Sequence, residues 1–329
     1  MKKILIIHTG GTFGMTPVEP DEQLAPGNIQ NQILQYIPEI ENIANIDVII
    51  PFNLDSSNIG IQEWDILSEL IHKNIGKYEG FVVIHGTDTM VYTASALSFS
   101  LINLRKPVIL TGSQRPLSKL RTDARFNLID AVELATMELP EVLITFGQKI
   151  LRGNRAKKIS ITNYNAFDSP NYPLIGEIGI NIQINHEYVL NPKEDYFHER
   201  GFAKKLTVLS IYPSLNLDNY LPILDSDING IILRGFGAGH LPTVLPNWMD
   251  FLKKARDLGI MIFIGSHSRH GGVNLDLYES GKEARKLGAI GLGKITIEAA
   301  YVKLMRIFNK TTEPDKVVEL LNTNWAGEI

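Results

Sequence analysis

The chain reads Ile4-Leu5-Ile6-Ile7-His8-Thr9-Gly10-Gly11-Thr12 close to its start. Four consecutive apolar residues predict a buried strand, and the two glycines predict a sharp turn soon after it. The pattern returns at Phe81-Val82-Val83-Ile84-His85-Gly86-Thr87-Asp88-Thr89. In an open α/β sheet, the carboxyl ends of such strands form the edge that binds ligands. Hydroxyl groups and a carboxylate at that edge indicate nucleophilic chemistry on a small polar molecule.

The rest of the first half alternates in the same way between apolar runs and helical patterns. Short runs rich in Ile and Val lie at residues 4–7, 46–51, 81–84, 107–110 and 142–146, and helical patterns lie at residues 30–36, 62–75, 90–104 and 125–137. This alternation predicts a parallel sheet with right-handed crossovers. Residues 178–189 alternate apolar and polar side chains instead, which predicts an exposed strand or hairpin.

A polar, charged stretch over residues 186–205 predicts a linker, and a second α/β pattern follows it. Its strands are predicted at residues 206–211, 230–233 and 260–264, and its helices at residues 248–258, 280–287, 296–307 and 314–321. We therefore predict an α/β protein with two domains. The larger, parallel-sheet domain covers residues 1–188, the linker residues 189–205, and the smaller α/β domain residues 206–329.

The composition limits the classes of function. The 329 residues are 44% hydrophobic and 21% charged, as is typical of a globular protein. The formal net charge of −4 gives no overall attraction to nucleic acid or to an anionic membrane. No apolar run has the length of a bilayer span or of a signal-peptide core, and the absence of cysteine excludes a thiol nucleophile. We expect a cytoplasmic protein that binds neither nucleic acid nor membrane.

Each polar turn has a functional and a purely structural interpretation. The glycines before Thr12 allow close approach of the backbone to a ligand, but they also suit a plain turn or a phosphate loop. The spacing of a nucleotide-binding motif is absent. Asp88 and Thr89 suit a catalytic site and equally suit the cap of the helix that begins near Met90. The loop Asp55-Ser56-Ser57-Asn58 offers donors to a zwitterion, although alone it is more typical of a capping turn.

Two further stretches combine basic side chains and histidines. Arg152-Gly153-Asn154-Arg155-Ala156-Lys157-Lys158 carries four positive charges. Three interpretations are open: the stretch is a solvated face, it is a weak anion-binding patch, or one of its lysines turns inward to pair with Asp88. In Ser266-His267-Ser268-Arg269-His270 the histidines are three residues apart without a nearby acid, which disfavours a metal site. His85 is interpreted as a packed residue at a strand end.

Together these stretches resemble the bacterial-type L-asparaginases, and more closely their type I, cytosolic branch. The two turn motifs carry most of the resemblance, which covers essentially the whole chain. The other matching stretches are residues 92–99, Thr111-Gly112-Ser113-Gln114, Arg152-Gly153-Asn154-Arg155 and Ser169-Pro170-Asn171. The resemblance implies a two-domain asparaginase fold, no metal or organic cofactor, and self-association into a homodimer or homotetramer.

The resemblance also implies a role for each matching residue. Thr12 is implied as the nucleophile toward the side-chain amide of asparagine. A hydroxyl–carboxylate–ammonium group that activates a threonine or water is implied at Thr87, Asp88 and Lys158. Lys158 is selected over Lys157 because it stands three residues after the second arginine. Substrate binding is implied for Asp55, Ser56, Ser57, Thr87 and Asp88.

The chain departs from the family pattern in three places. The loop after the first motif usually supplies a tyrosine, but residues 13–30 contain none, and Leu24 stands about where it aligns. The glycine-rich loop of the second domain ends in His240 where the family often has asparagine. Type I enzymes can carry an effector site for asparagine. Its positions are matched by Arg234, Ser266 and Ser268, but a cysteine of some members is absent.

The sequence therefore predicts an L-asparaginase that forms aspartate and ammonia through a threonyl ester. One alternative is the amidotransferase subunit that releases ammonia. That relative carries an extra amino-terminal domain, whereas this chain begins at its first strand, which favours the hydrolase. The other alternative is a catalytically weak amino-acid sensor, which the missing tyrosine supports.

Overall fold

The computed structural model describes residues 1–14, 33, 35–245 and 247–329. The chain forms two units. Unit 1 holds residues 1–200 with residues 325–327, and unit 2 holds residues 201–324 with residues 328–329. Each unit has its own sheet and its own hydrophobic core. The two-domain α/β fold is thereby confirmed, and the domain limits given above stay a prediction.

Unit 1 is built on a mixed sheet of eight strands. The strands described in unit 1 are β1 (Lys3–His8), β2 (Asn45–Ile49), β3 (Gly80–Ile84), β4 (Leu101–Ile102), β5 (Val108–Thr111), β6 (Val142–Phe146), β7 (Lys149–Arg152), β8 (Lys157–Lys158), β9 (Phe167–Asp168), β10 (Gly176–Ile178), β11 (Ile182–Ile184) and β12 (Phe197–His198). Outside the eight-stranded sheet, β4 pairs with β12 and β8 pairs with β9. The order in the main sheet is β11-β10-β7-β6-β5-β3-β1-β2. Strands from β2 to β6 pair in parallel, and those from β6 to β11 pair antiparallel.

The change of direction occurs in a two-residue turn between β6 and β7. Gly147 and Gln148 have positive φ values of 57° and 70°. Positive φ at both central residues is the geometry of a type I′ hairpin turn, which returns the chain antiparallel. The sheet is therefore mixed rather than wholly parallel. For residues 178–189 the sequence predicts an exposed strand or a hairpin; β10 and β11 form a hairpin there that begins two residues earlier, at Gly176.

Helices cover both faces of this sheet. They are α1 (Ile61–Asn74), α2 (Met90–Ser100) and α3 (Ala124–Ala135). Along β1 the side chains alternate between two cores, with Leu5 and Ile7 in one and Ile4 and Ile6 in the other. The helix predicted over residues 90–104 ends at Ser100, because β4 follows and pairs with β12 inside the predicted linker. The helix predicted over residues 30–36 lies largely outside the described residues.

Unit 2 contains a smaller, wholly parallel sheet. Its strands are β13 (Leu206–Ser210), β14 (Gly230–Gly235), β15 (Met261–Ser266) and β16 (Ile290–Gly291), paired in that order. Its helices are α4 (Trp248–Asp257), α5 (Glu279–Lys286), α6 (Ile297–Lys310) and α7 (Pro314–Asn322). The predicted elements are thus present, with ends shifted by no more than three residues. Within the described ranges, no helix has both the length and the apolar character that a bilayer span requires.

Candidate active site

Three loops of unit 1 meet at the carboxyl ends of β1, β2 and β3. Gly11 donates its amide to the Leu54 carbonyl at 3.2 Å, and Leu54 donates to the Thr9 carbonyl at 2.9 Å. Gly10 and Gly11 have φ values of 116° and 79°, a region that favours glycine. A Cβ at Gly11 would lie 2.6 Å from the Cα of Gly86. Glycine is therefore required for the first and third loops to touch.

Thr12 stands directly after this glycine turn. It begins a short 3-10 turn, Thr12–Gly14, and its side chain is partly exposed. Its neighbour Phe13 is 1% exposed and belongs to one of the two cores of unit 1. The buried ring and the glycine turn hold the backbone that carries the Thr12 hydroxyl. Leu24, which the sequence aligns approximately with the loop tyrosine of the family, lies outside the described residues.

A hydroxyl, a carboxylate and an ammonium group meet in the loop after β3. Lys158 Nζ donates to Thr87 Oγ1 at 2.7 Å and to Asp88 Oδ1 at 2.6 Å. The Lys158 side chain is 15% exposed, whereas the Asp88 side chain is 66% exposed. The ammonium group thus fixes the other two groups while the carboxylate stays open to solvent. Three of the four residues implied as catalytic are brought together in this way.

The direction of β8 determines which lysine reaches this group. Lys157 and Lys158 are its two residues, and they pair with Asp168 and Phe167 of β9. Successive side chains of a strand point to opposite faces. Because Lys158 points to Asp88, Lys157 points away from it.

Asp88 and Thr89 both suit a cap of α2, but neither side chain caps the helix. Thr89 occupies the N-cap position of α2, but its side chain makes no capping hydrogen bond. Its hydroxyl donates instead to the Ser56 carbonyl at 2.6 Å. The Asp88 carboxylate is bonded to Lys158. Thr89 therefore ties the third loop to the second, a contact that no sequence pattern indicates.

The second loop is organised by Asp55. Its Oδ1 accepts hydrogen bonds from the Ser57 hydroxyl at 2.6 Å and from the Ser57 amide at 2.8 Å. These bonds hold the pKa of the Asp55 carboxyl below its usual range and cap the short turn Ser56–Asn58. The structural interpretation of this loop as a capping turn is therefore correct for Asp55. The loop nevertheless lies at the site, because a Cβ at Gly86 would stand 2.7 Å from Ser56 Oγ.

Gln114 and Asp123 were not predicted as site residues. Gln114 Oε1 lies 3.5 Å from Thr87 Oγ1, and its Nε2 donates to the Asn163 carbonyl at 3.2 Å. The Asp123 carboxylate accepts the amides of Gln114 at 2.9 Å and of Arg115 at 3.1 Å. Asp123 thereby fixes the loop that places Gln114 beside Thr87. The Thr-Gly-Ser-Gln motif, noted only for its family resemblance, is the one sequence signal that points to this loop.

The two arginines before Lys158 are buried. Arg152, Asn154 and Arg155 are exposed by 2%, 1% and 4%. Arg152 Nε donates to Glu141 Oε2 at 2.6 Å, and both side chains are nearly inaccessible. Burial excludes the solvated-face interpretation for these three residues.

Residues 325–327 supply further acceptors for this stretch. The Gly327 carbonyl accepts from Arg155 Nε at 2.9 Å and from Arg152 Nη1 at 3.4 Å, and the Ala326 carbonyl accepts from Asn154 Nδ2 at 2.9 Å. A Cβ at position 327 would stand 2.5 Å from Arg152 Nη1, so glycine allows this approach. The Arg-Gly-Asn-Arg stretch is thus a clamp on the chain from Trp325 to Gly327. We call it the arginine clamp.

Glu141→Ala is expected to destabilise unit 1 strongly. Removal of one partner of a buried ion pair leaves an uncompensated charge and costs about 3–5 kcal/mol. Glu141 also accepts the Leu190 amide at 2.8 Å, so a backbone donor loses its partner as well. Thermal unfolding followed by circular dichroism measures the effect. Lys73→Ala, which breaks an exposed pair with Glu69 in the same unit, is the control and is expected to leave the midpoint unchanged. Equal midpoints for the two variants would contradict the prediction.

The residues that match the effector site lie at two neighbouring strand ends of unit 2. Arg234 is in β14, and its neighbour Gly235 pairs in register with Ser266 of β15. Ser266 Oγ donates to the Gly237 carbonyl at 2.6 Å and accepts the Ser268 amide at 3.0 Å. Arg234 Nε is buried and has no hydrogen-bond partner among the described residues. Among the residues that the structure describes, no group of three or more His, Asp or Glu side chains is arranged to hold a metal ion.

In a comparison with known proteins, a family model matches each of the two units. One family model, described as "Asparaginase, N-terminal", matches residues 3–190, and another, "Glutaminase/Asparaginase C-terminal domain", matches residues 205–321. L-asparaginase 1 of Escherichia coli (strain K12) is 34% identical, and the alignment covers 100% of this chain and 98% of the relative. A glutamyl-tRNA(Gln) amidotransferase subunit of Pyrococcus abyssi is 32% identical, and the alignment covers 77% of that protein and 100% of this chain.

Two solved structures are similar over essentially their whole length. The thermostable L-asparaginase from Thermococcus kodakarensis has a TM-score of 0.91 at 30% identity, with 99% of each chain covered. L-asparaginase I from Vibrio cholerae has a TM-score of 0.90 at 33% identity, with 100% of this chain and 99% of that chain covered.

The chain therefore belongs to the asparaginase family. Within that family it falls in the type I branch, to which its similarity to L-asparaginase 1 and L-asparaginase I assigns it. The resemblance read from the two turn motifs is thereby confirmed.

Proposed function

We propose that this protein is an amidohydrolase that converts L-asparagine to L-aspartate and ammonia through a threonyl ester at Thr12. Membership of the asparaginase family supports the class of reaction. The observation that carries the site assignment is the Lys158 ammonium, 2.7 Å from Thr87 Oγ1 and 2.6 Å from Asp88 Oδ1. This group stands at the same sheet edge as Thr12, where the first and third loops touch.

In the first step the Thr12 hydroxyl attacks the side-chain amide carbon of asparagine. The carbonyl oxygen becomes an oxyanion, for which we propose the backbone N–H groups of Thr12 and Thr87 as donors. Collapse of the tetrahedral intermediate breaks the C–N bond. The nitrogen takes up a proton and leaves as ammonia, and an aspartyl ester of Thr12 is formed.

In the second step water attacks the ester carbon, the bond from that carbon to the Thr12 oxygen breaks, and the Thr12 oxygen takes up a proton as aspartate leaves. The Thr87–Asp88–Lys158 group is proposed to orient this water and to receive its proton, since the three side chains form a connected hydrogen-bond network. The ammonium charge stabilises negative charge that develops on a neighbouring oxygen. The same group is proposed to assist the loss of the Thr12 proton in the first step.

The ends of the substrate are proposed to be held by the second and third loops. One Asp88 oxygen is bonded to Lys158, and the exposed carboxylate leaves the other for the substrate ammonium. Asp55 is negatively charged and would repel a carboxylate. We therefore assign the substrate carboxylate to the Ser56 hydroxyl, because the Ser57 hydroxyl and amide already donate to Asp55 and hold the loop in place.

Asparagine is expected to exceed glutamine in kcat/KM by at least about tenfold, since one methylene of fit is worth roughly 1–3 kcal/mol. A cradle that fixes the ammonium and carboxylate ends leaves side-chain length to place the amide carbon relative to Thr12. Coupled-enzyme measurement of ammonia release on each amide tests this. Equal kcat/KM values on the two amides would refute the assignment of the cradle.

The same assay separates this proposal from its alternatives. A sensor would bind asparagine in calorimetry without releasing ammonia. An amidotransferase subunit would release ammonia efficiently only with its partner and tRNA. Similarity to L-asparaginase 1 and to two solved L-asparaginases supports the free hydrolase.

The proposal includes assembly, location and regulation. We propose a homodimer or homotetramer that needs no cofactor, which analytical ultracentrifugation and assay after metal chelation can check. A cytoplasmic location is supported by similarity to a probable cytoplasmic L-asparaginase from Campylobacter jejuni, with a TM-score of 0.81 at 26% identity and 98% of this chain covered. An asparagine effector site at Arg234, Ser266 and Ser268 stays a hypothesis.

A further inference from the structure

His85 is a buried residue that the proposed mechanism does not use. It follows β3 directly and is 1% exposed. Its ring Nδ1 lies 2.7 Å from the Gly86 carbonyl oxygen, and its Nε2 lies 2.9 Å from Thr93 Oγ1. Trp64 Nε1 donates to the same Thr93 hydroxyl at 3.1 Å. A continuous chain of hydrogen bonds thus runs from α1 through α2 to the peptide group before Thr87.

The direction of every bond in this chain is determined. A carbonyl oxygen only accepts, so Nδ1 of His85 carries the proton that Gly86 receives. Burial lowers the pKa of His85 to about 4, and the ring is neutral near pH 7 with Nε2 as an acceptor. Thr93 therefore donates to Nε2. Its oxygen in turn accepts from Trp64, whose indole can only donate.

This orientation has a consequence for the amide of Thr87. In a trans peptide group the C=O and the N–H point in opposite directions. Because His85 holds the Gly86 oxygen on its own side, the Thr87 N–H faces the opposite side. Gly86 itself is packed between Gly11 and Ser56, so the peptide group belongs to the junction of the three loops. The Thr87 amide has no acceptor within the described part of the chain.

We propose that His85 is a positioning residue: together with Thr93 and Trp64, it holds the Gly86–Thr87 peptide so that the Thr87 N–H is aimed at the carbonyl oxygen of the reacting amide. This inference rests on the proposed function, in which that N–H is an oxyanion donor. The donor acts on the transition state, where the oxygen carries charge, and hardly on bound substrate. Misorientation of the peptide therefore lowers kcat and leaves KM nearly unchanged.

Replacement of His85 by Asn or by Gln tests the roles of its two ring nitrogens separately. In Asn the side-chain nitrogen is as many bonds from Cβ as Nδ1, so His85→Asn can keep the donor to the Gly86 carbonyl. In Gln the terminal group reaches the place of Nε2, so His85→Gln keeps a partner for Thr93 and loses the donor to Gly86. The two variants are matched in chemistry and differ in which bond they keep.

His85→Gln is expected to lower kcat for asparagine at least about tenfold, and at most by the roughly thousandfold that loss of an oxyanion donor costs. KM is expected to stay within about twofold. His85→Asn is expected to recover most of the lost kcat. Equal kcat for the two variants, or a rise in KM that accounts for the loss, would overturn the inference. Thermal midpoints show whether both variants are folded.

A spectroscopic measurement on the wild type tests the same network without a substitution in the ring. In protein labelled with ¹⁵N-histidine, the His85 signals are expected to report a proton on Nδ1 and none on Nε2 at pH 7. Thr93→Val, which removes only the hydroxyl, is expected to shift these signals and to lower kcat. An Nε2-protonated ring in the wild type, or a Thr93→Val variant with unchanged kcat, would contradict the inference even if the His85 variants fail to fold.

The outcomes also distinguish this inference from the function on which it rests. If wild-type protein releases no ammonia from asparagine, the proposed function is refuted and the role of His85 in catalysis with it. If the wild type is active and His85→Gln and His85→Asn have wild-type kcat, only the positioning role is refuted.

Discussion

Thr12→Ala is expected to lower kcat for asparagine by at least about a thousandfold, because loss of a covalent nucleophile removes the ester pathway. The melting temperature is expected to stay that of the wild type. The Thr12 side chain is partly exposed, and the turn that carries it is anchored by the buried ring of Phe13 and by backbone hydrogen bonds. Ammonia release under saturating asparagine measures the effect.

Two further observations make this test specific. Mass spectrometry of acid-quenched protein is expected to detect an aspartyl adduct on the wild type and none on Thr12→Ala. Thr207→Ala, at a partly buried threonine of β13 in unit 2, is the control and is expected to keep full activity. If Thr12→Ala keeps activity within about tenfold of the wild type, the nucleophile lies elsewhere, and Thr87 is the next candidate.

Lys158→Met is expected to abolish nearly all turnover, whereas Lys157→Met is expected to be close to wild type. Methionine keeps the length of the lysine stem and removes the charge. At position 158 this leaves the Thr87 hydroxyl and the Asp88 carboxylate without the ammonium that joins them. At position 157 the side chain belongs to the opposite face of β8. Measurement of kcat and KM for both variants tests the difference.

The neighbouring lysine is a strict control, because both variants change one residue of the same two-residue strand and remove the same charge from the protein. A loss of turnover in both would indicate damage to β8 rather than loss of a specific group. The reverse result, with Lys157→Met inactive and Lys158→Met active, would show that Lys157 is the functional residue and would contradict the geometry at Asp88.

The parts of the site that are local in sequence could be predicted, because each follows an apolar strand. The strand before Thr9 and the strand before His85 are unbroken apolar runs, and parallel strands bring their carboxyl ends to one edge whatever the intervening sequence. That rule placed Thr12, Thr87 and Asp88 at one edge. The glycine contact between positions 11 and 86 then follows from the two turns.

The parts that depend on distant partners could not be predicted. Arg152 and Arg155 looked like solvated charges because one acceptor that they share, the Gly327 carbonyl, lies 175 and 172 residues further along the chain. Gln114 and Asp123 act through a loop whose sequence has no periodic pattern. The reversal of the sheet depends on Gln148 at positive φ, a conformation that glutamine rarely adopts and that its neighbours do not reveal.

The arginine clamp has a consequence for the order in which the protein is made. Gly327 leaves the ribosome 175 residues after Arg152 and 172 residues after Arg155. At about 5–20 residues per second, that interval lasts roughly 9–35 seconds. Throughout it neither guanidinium group has its Gly327 acceptor, and the strand that carries Lys158 begins two residues beyond the second of them. The nascent chain thus passes through a state in which the sheet can form but the clamp next to Lys158 stays open until Gly327 has been translated.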